Sequence, residues 1–138
     1  MDSHNFLATT FHELSQGRAV RVANDAVVSP TYVPDLVNAT LDLVIDGERG
    51  LWHLANQGAL TWYEFALLAA ECAGIETSRI VACPMCELGL RAKRPVSSAL
   101  TSERGRLMPT VEQAVEEWVA AISSSQLQPR VMEISSSV

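Results

Sequence analysis

At 138 residues the chain is the size of one domain, long enough to bury a core without disulfide or metal staples. Its 48% hydrophobic and 19% charged content excludes a disordered composition, and its net charge of −6 excludes a general affinity for nucleic acid. No apolar run approaches the roughly 20 residues that span a bilayer, and the opening MDSHNFLATTFHEL lacks the basic start and apolar centre of a signal peptide, so the expectation is a cytoplasmic chain with neither membrane nor nucleic acid as partner.

Residues 4–16 are expected to form a helix, with Phe6, Leu7, Phe11 and Leu14 on one face, Ser3 as its cap and Gly17 after its end. The alternating AVRVA of residues 19–23 favours a strand, and Asn24 and Asp25 turn the chain. Val27, Val28, Ser29 and Pro30 lead to a second helix. There Pro34 suits the first helical position, Val33, Leu36, Val37, Leu41, Val44 and Ile45 keep the period, and Gly47 stops it. LWHLA at 51–55 predicts a strand with His53 buried, followed by an Asn56-Gln57-Gly58 turn.

A capping box of Thr61 and Glu64 opens the next helix, with Trp62, Phe65, Leu68, Ala69 and Cys72 inward. Residues 80–83 predict another strand, closed by Pro84. A second box, Thr110 with Gln113, starts a helix whose stripe is Val111, Ala114, Val115, Trp118, Val119 and Ile122, with both Trp62 and Trp118 assigned to the core. The folded domain is expected over residues 1–123, and the serine-rich, aperiodic 124–138 as a disordered tail. Helices alternating with a few short strands predict an α/β or α+β-like arrangement of helices packed on strands. Such strands make a poor sheet alone, so the chain is expected to dock against something else.

Three cysteines form no disulfide framework, and the single CPMC at 83–86 supplies too few ligands for a structural zinc. His4, His12 and His53 lie at no metal-binding spacing, so no metal is expected, and thiol redox chemistry at Cys83 and Cys86 ranks last. The basic stretch LRAKRPVSSALTSERGR is more informative. Arg91, Lys93, Arg94, Arg104 and Arg106 are half of the ten Lys and Arg. In an acidic chain such a cluster suits a small anion, and phosphate matches the planar fork of Arg94, whose backbone Pro95 constrains. The competing account is a solvated loop that keeps the protein soluble.

NFLATTFHEL, VSPTYVPDLVNATLDL, GLWHLANQGALTWYEFA and AKRPVSSAL, in this order and spacing, resemble the C-terminal substrate-binding half of dTDP-4-dehydrorhamnose reductase-like proteins, of the extended short-chain dehydrogenase/reductase family. The resemblance covers residues 4 to 122. It implies the substrate-binding portion of an NAD(P)-dependent sugar-nucleotide reductase of deoxysugar biosynthesis, with a nucleotide-diphosphate sugar as ligand. It further implies a substrate site of Asn5, Phe6, Val20, Arg21, Ser29, Pro30, Thr31 and Arg94, with no catalytic residue. In the family, Asn5 and Phe6 would open the helix along the cleft, Val20 and Arg21 would run beside base and ribose, residues 29–31 would form the loop beneath, and Arg94 would reach the diphosphate. From the residues alone, Asn5 equally suits a plain helix start, Phe6 the core, and Arg21 a strand face turned to water. Ser97 and Ala99 depart from the family pattern, which has Asn and Arg there.

The family's dinucleotide turn, GxxGxxG, and its Tyr-x-x-x-Lys pair have no counterpart here: Tyr32 is followed four residues on by Leu36, and Tyr63 by Leu67. The expectation is therefore a domain lacking its N-terminal Rossmann half, inactive alone and without a cofactor of its own, NADPH or NADH belonging to the full-length protein. Self-association is expected from the uncovered face. The alternative is a non-catalytic regulatory or scaffolding module of the same fold.

Overall fold

The computed structural model describes residues 5–92 and 94–126. Helix α1, Phe6–Ser15, starts at Asn5, whose Oδ1 accepts the amides of Leu7 at 3.0 Å and Ala8 at 3.3 Å. These are helix-end donors with no intrahelical acceptor, so Asn5 does the capping, and the expected cap Ser3 lies outside the described residues. After α1 the chain turns through Gly17 at φ 73°, where a Cβ would lie 2.8 Å from Nη1 of Arg79. That guanidinium donates to the Gly17 carbonyl, so the position needs both the left-handed backbone and the missing side chain.

Strand β1, Val20–Ala23, and β2, Val27–Val28, precede α2, Val33–Ile45, in which Pro34 is the second residue. Strand β3, Leu60–Thr61, runs straight into α3, Trp62–Cys72, through the predicted capping box: the Glu64 amide donates to Thr61 Oγ1 at 3.1 Å, and the Thr61 amide to Glu64 Oε2 at 2.8 Å. Strand β4 is Ile80–Cys83, followed by a 3-10 turn, Met85–Leu88, and β5, Ser97–Ser98. The last helix, α4, Val111–Gln126, opens with the box of Thr110 and Gln113. It runs three residues past the predicted end at 123, and residues 127–138 lie outside the described ones.

The strands form two small sheets. β1 pairs parallel with β4 from Val20 opposite Ile80 to Ala23 opposite Cys83, while β2 lies between antiparallel β3 and parallel β5. The result is a mixed α/β fold. Helix α3 is its centre: Ala66, Ala69 and Ala70 are each 0% exposed, and such small side chains let neighbours close on it from two sides. On one side Leu7 of α1 and Val111, Val115 and Val119 of α4 form the first core. On the other, Leu14, Val22 and Ile80 form the second, with Val20 packed against it.

Two sequence expectations fail for physical reasons. Residues 51–55 form no strand and His53 is exposed, because a strand needs a partner and among the described residues none pairs with this segment. Cys72, expected inward, is exposed at the last turn of α3, where the Ala66, Ala69 and Ala70 face already fills the contact.

Candidate functional site

Two adjoining cavities open along the α1, β2 and α3 side. The first, about 510 Å³, is lined by Asn5, Phe6 and residues 28–32, with Trp62, Phe65 and Trp118 as its aromatic wall. The second, about 790 Å³, is lined by Arg21, Arg94 and Pro95, with Val22, Ala23, Met85 and Leu90 below. Phe6, Val28, Trp62 and Ser98 line both, so the two are chambers of one cleft.

The aromatic wall is built by mutual packing. Phe6 meets Trp62 edge-on, ring centroids 4.7 Å apart at 66°, and stacks on Phe65 at 6.0 Å and 21°. Trp118 tilts against Phe11 at 5.5 Å. These contacts hold rigid π faces at the cleft, a surface suited to a flat ring. Trp62 and Trp118, assigned to the core from sequence, are half-buried and present a face to the first chamber. The signal for this lay in residue type, since tryptophan is seldom fully buried.

Most of the expected site residues are brought together, though several hold structural bonds as well. The Oδ1 of Asn5 is spent on the α1 cap, which leaves its amide hydrogens as the donors it can offer. Phe6 serves core and cleft at once. The Ser29 hydroxyl donates to the Gly58 carbonyl at 3.1 Å and accepts the Leu100 amide at 3.0 Å, tying the 29–31 loop to β3 and to the segment after β5. Pro30 and Thr31 line the first chamber. Val20 lies against the second core and lines neither chamber.

The cations divide. Arg94 is exposed at the second chamber and forms no ion pair among the described residues. Arg21 is ion-paired with Glu87 of the 3-10 turn, both side chains about half exposed. Arg104, part of the predicted anion cluster, is engaged elsewhere: its guanidinium lies 4.0 Å over the Trp52 ring, donates to the Arg49 carbonyl at 2.7 Å and pairs with Glu48 at 3.1 Å. It pins the 103–107 loop onto the segment after α2. Lys93 lies outside the described residues.

Asn56, expected only as a turn residue, is 1% exposed and joins both walls of the first chamber. Its Oδ1 accepts the Tyr32 amide at 2.7 Å, while its Nδ2 donates to Asp35 at 2.7 Å and to the Pro109 carbonyl at 3.2 Å. The Gln57 side chain beside it donates to the Met108 carbonyl at 2.6 Å, and the Gln57 backbone bridges to Thr110. These bonds lock the start of α2 to the start of α4.

No group of His, Cys, Asp and Glu among the described residues can hold a metal ion. Nor do the described residues offer the glycine turn that cradles a dinucleotide. Gly47 and Gly50 follow α2 rather than precede a helix, and β3 enters α3 with no glycine turn to cradle a diphosphate. Burial and the carboxylates of Glu116 and Glu71 push the Cys72 thiol up, away from a reactive thiolate.

Residues 1–128 match the family model described as RmlD substrate binding domain. The chain belongs to this family. Curated relatives include the spore coat polysaccharide biosynthesis protein SpsK of Bacillus subtilis, 35% identical over 97 residues, covering 70% of this chain and 34% of the relative. The dTDP-4-dehydrorhamnose reductase of Mycolicibacterium smegmatis is 33% identical over 127 residues, covering 88% of this chain and 39% of that protein. The crystal structure of dTDP-4-dehydrorhamnose reductase from Bacillus anthracis in complex with NADP superposes with TM-score 0.79 at 27% identity, over 88% of this chain and 44% of that one. A Clostridium acetobutylicum dTDP-4-dehydrorhamnose reductase shares the fold at TM-score 0.80 and 24% identity. The chain thus spans less than half the length of these relatives. Among the described residues, no helix is long and apolar enough to cross a membrane.

Proposed function

We propose that this chain holds a nucleotide-diphosphate sugar for an NAD(P)-dependent sugar-nucleotide reductase of deoxysugar biosynthesis, the nicotinamide being supplied by a second, dinucleotide-binding domain. The observation that carries this reading is the two-chambered cleft: an aromatic wall for a flat base and, across the shared Phe6, Val28, Trp62 and Ser98, an uncommitted Arg94 for the diphosphate. The 29–31 loop and Asn5 would close on the ligand between them. The chain's contribution is positioning, because holding the sugar at a fixed place converts an encounter into an oriented approach. The NADP in the Bacillus anthracis reductase structure supports nicotinamide chemistry in the whole enzyme, and no step of it is assigned to residues of this domain.

The test is an amide chemical-shift titration with dTDP. The expected result is shifts at Phe6, Arg21, Ser98 and Arg94. An unchanged spectrum at millimolar dTDP and UDP would refute the reading.

A further inference from the structure

A further cavity, of about 480 Å³, lies between residues 53–58 on one wall and residues 100–108 on the other, and shares no lining residue with either chamber of the cleft. Both of its ends are fixed by bonds between the walls. At one end the Arg104 guanidinium lies over the Trp52 ring and donates to the Arg49 carbonyl, which holds the 103–107 loop in place. At the other, the Gln57 side chain donates to the Met108 carbonyl at 2.6 Å and the Gln57 amide to the Pro109 carbonyl at 2.8 Å.

The lining is one-sided in charge. The chain carries 16 Asp and Glu against 10 Lys and Arg, yet no carboxylate lines this cavity, whereas Arg106 and His53 do. The nearby acids are accounted for: Glu48 is held by Arg104, and Glu103 of the same loop lies outside the lining. Arg106 forms no ion pair among the described residues, unlike Arg18, Arg21 and Arg104. The side chains of His53, Thr101, Ser102 and Arg106 likewise hydrogen-bond to no described residue. On the 53–58 wall the amides of residues 53–55 bond to no other backbone group among the described residues. Uncommitted donors therefore stand on both walls of one polar cavity.

We propose that this cavity is a second anion site, which takes a small phosphate, free or as a monoester. Arg106 supplies the charge, and His53, Thr101 and Ser102 supply neutral donors around it. The donor set favours phosphate over a carboxylate. A carboxylate has both oxygens in one plane and is satisfied by a single guanidinium fork, whereas a phosphate turns its oxygens in several directions and can draw on two walls at once. The site stands apart from the nucleotide-sugar reading, because none of its residues belongs to the cleft.

The experiment is an amide chemical-shift titration of the 138-residue chain with inorganic phosphate and, separately, with glycerol 3-phosphate, at an ionic strength held constant with sodium chloride. Saturable shifts are expected at His53, Thr101, Ser102 and Arg106 at millimolar ligand. Arg106→Gln should weaken this binding about 10- to 100-fold, and Thr101→Val, which removes a hydroxyl alone, about two- to tenfold. Arg94→Ala should leave it unchanged, and the amides of Val111 and Val115 report that each variant stays folded. Tighter binding of the ester identifies a phosphorylated small molecule as the occupant and equal binding identifies free phosphate; either supports the site. Absent or non-saturating shifts with both probes, equal affinity in the parent and Arg106→Gln, or loss of binding in Arg94→Ala overturns it. Saturable binding here without dTDP binding removes the reductase reading alone, whereas dTDP binding without these shifts removes this inference alone.

Discussion

Replacing Asn56 by alanine should be among the most damaging single changes to the cleft, although Asn56 lines neither chamber. The side chain makes three hydrogen bonds, to the Tyr32 amide, the Asp35 carboxylate and the Pro109 carbonyl. The Pro109 carbonyl keeps the Gln57 amide at 2.8 Å, and the half-buried Asp35 can recover water, so the main loss is the partly buried Tyr32 amide left without an acceptor. An unsatisfied buried donor costs about 1–3 kcal/mol, and the bond to a charged carboxylate adds about 1 kcal/mol net once rehydration is counted, for a total of about 2–4 kcal/mol. With a urea slope of about 2 kcal/mol/M for a domain of this size, the midpoint should fall by roughly 1–2 M. Asn56→Asp, which sets a second carboxylate against Asp35, should cost at least as much. Because Tyr32 and Val111 line the first chamber, dTDP affinity should fall along with stability. A loss below about 0.5 kcal/mol, within the range of an ordinary surface substitution, would refute the bracketing role.

Other perturbations test separate parts of the account. Glu87→Gln frees the Arg21 guanidinium from an exposed ion pair, so dTDP affinity at low salt should rise by up to about fivefold, matching the ~0.2–1 kcal/mol such pairs hold; an unchanged affinity would show that Arg21 does not face the anion. Thr61→Ala removes the α3 capping box and should cost about 1 kcal/mol in urea unfolding; no loss would mean packing alone fixes the start of α3. The Thr61 amide and hydroxyl hold the Glu64 carboxyl below its ordinary range. Its folded pKa is depressed, so the contribution is fully present above the unfolded pKa and drains away as pH falls through the folded one. A carboxyl NMR titration of Glu64 at or above the ordinary value would contradict this.

What was legible in the sequence is what neighbouring residues decide. Both capping boxes, Thr61 with Glu64 and Thr110 with Gln113, are three-residue relationships, and both form as expected. The α4 stripe likewise gives buried Val111, Ala114, Val115 and Val119. What failed depends on distant partners. LWHLA has every side-chain feature of a strand, but hydrogen-bond pairing is a property of two segments, and the described residues supply one. The α2 period shows that a face is apolar without saying what covers it. Asn56 carries the same turn-forming chemistry whether it sits in a surface turn or brackets Tyr32 to Pro109, contacts 24 and 53 residues away. Among the cations, composition gathers Arg94 and Arg104 into one cluster, whereas the fold sends Arg104 to Trp52 and leaves Arg94 at the cleft.

That the aromatic and cationic chambers hold one ligand is tested most directly by calorimetric titration of the chain and of Arg94→Ala with both dTDP and thymidine. The loss should fall on the diphosphate and spare the base: the substitution should weaken dTDP about 10- to 100-fold, the ~1.5–3 kcal/mol of hydrogen bonding to a charged group, and leave thymidine unchanged. Equal affinities of the two proteins for dTDP would contradict the account.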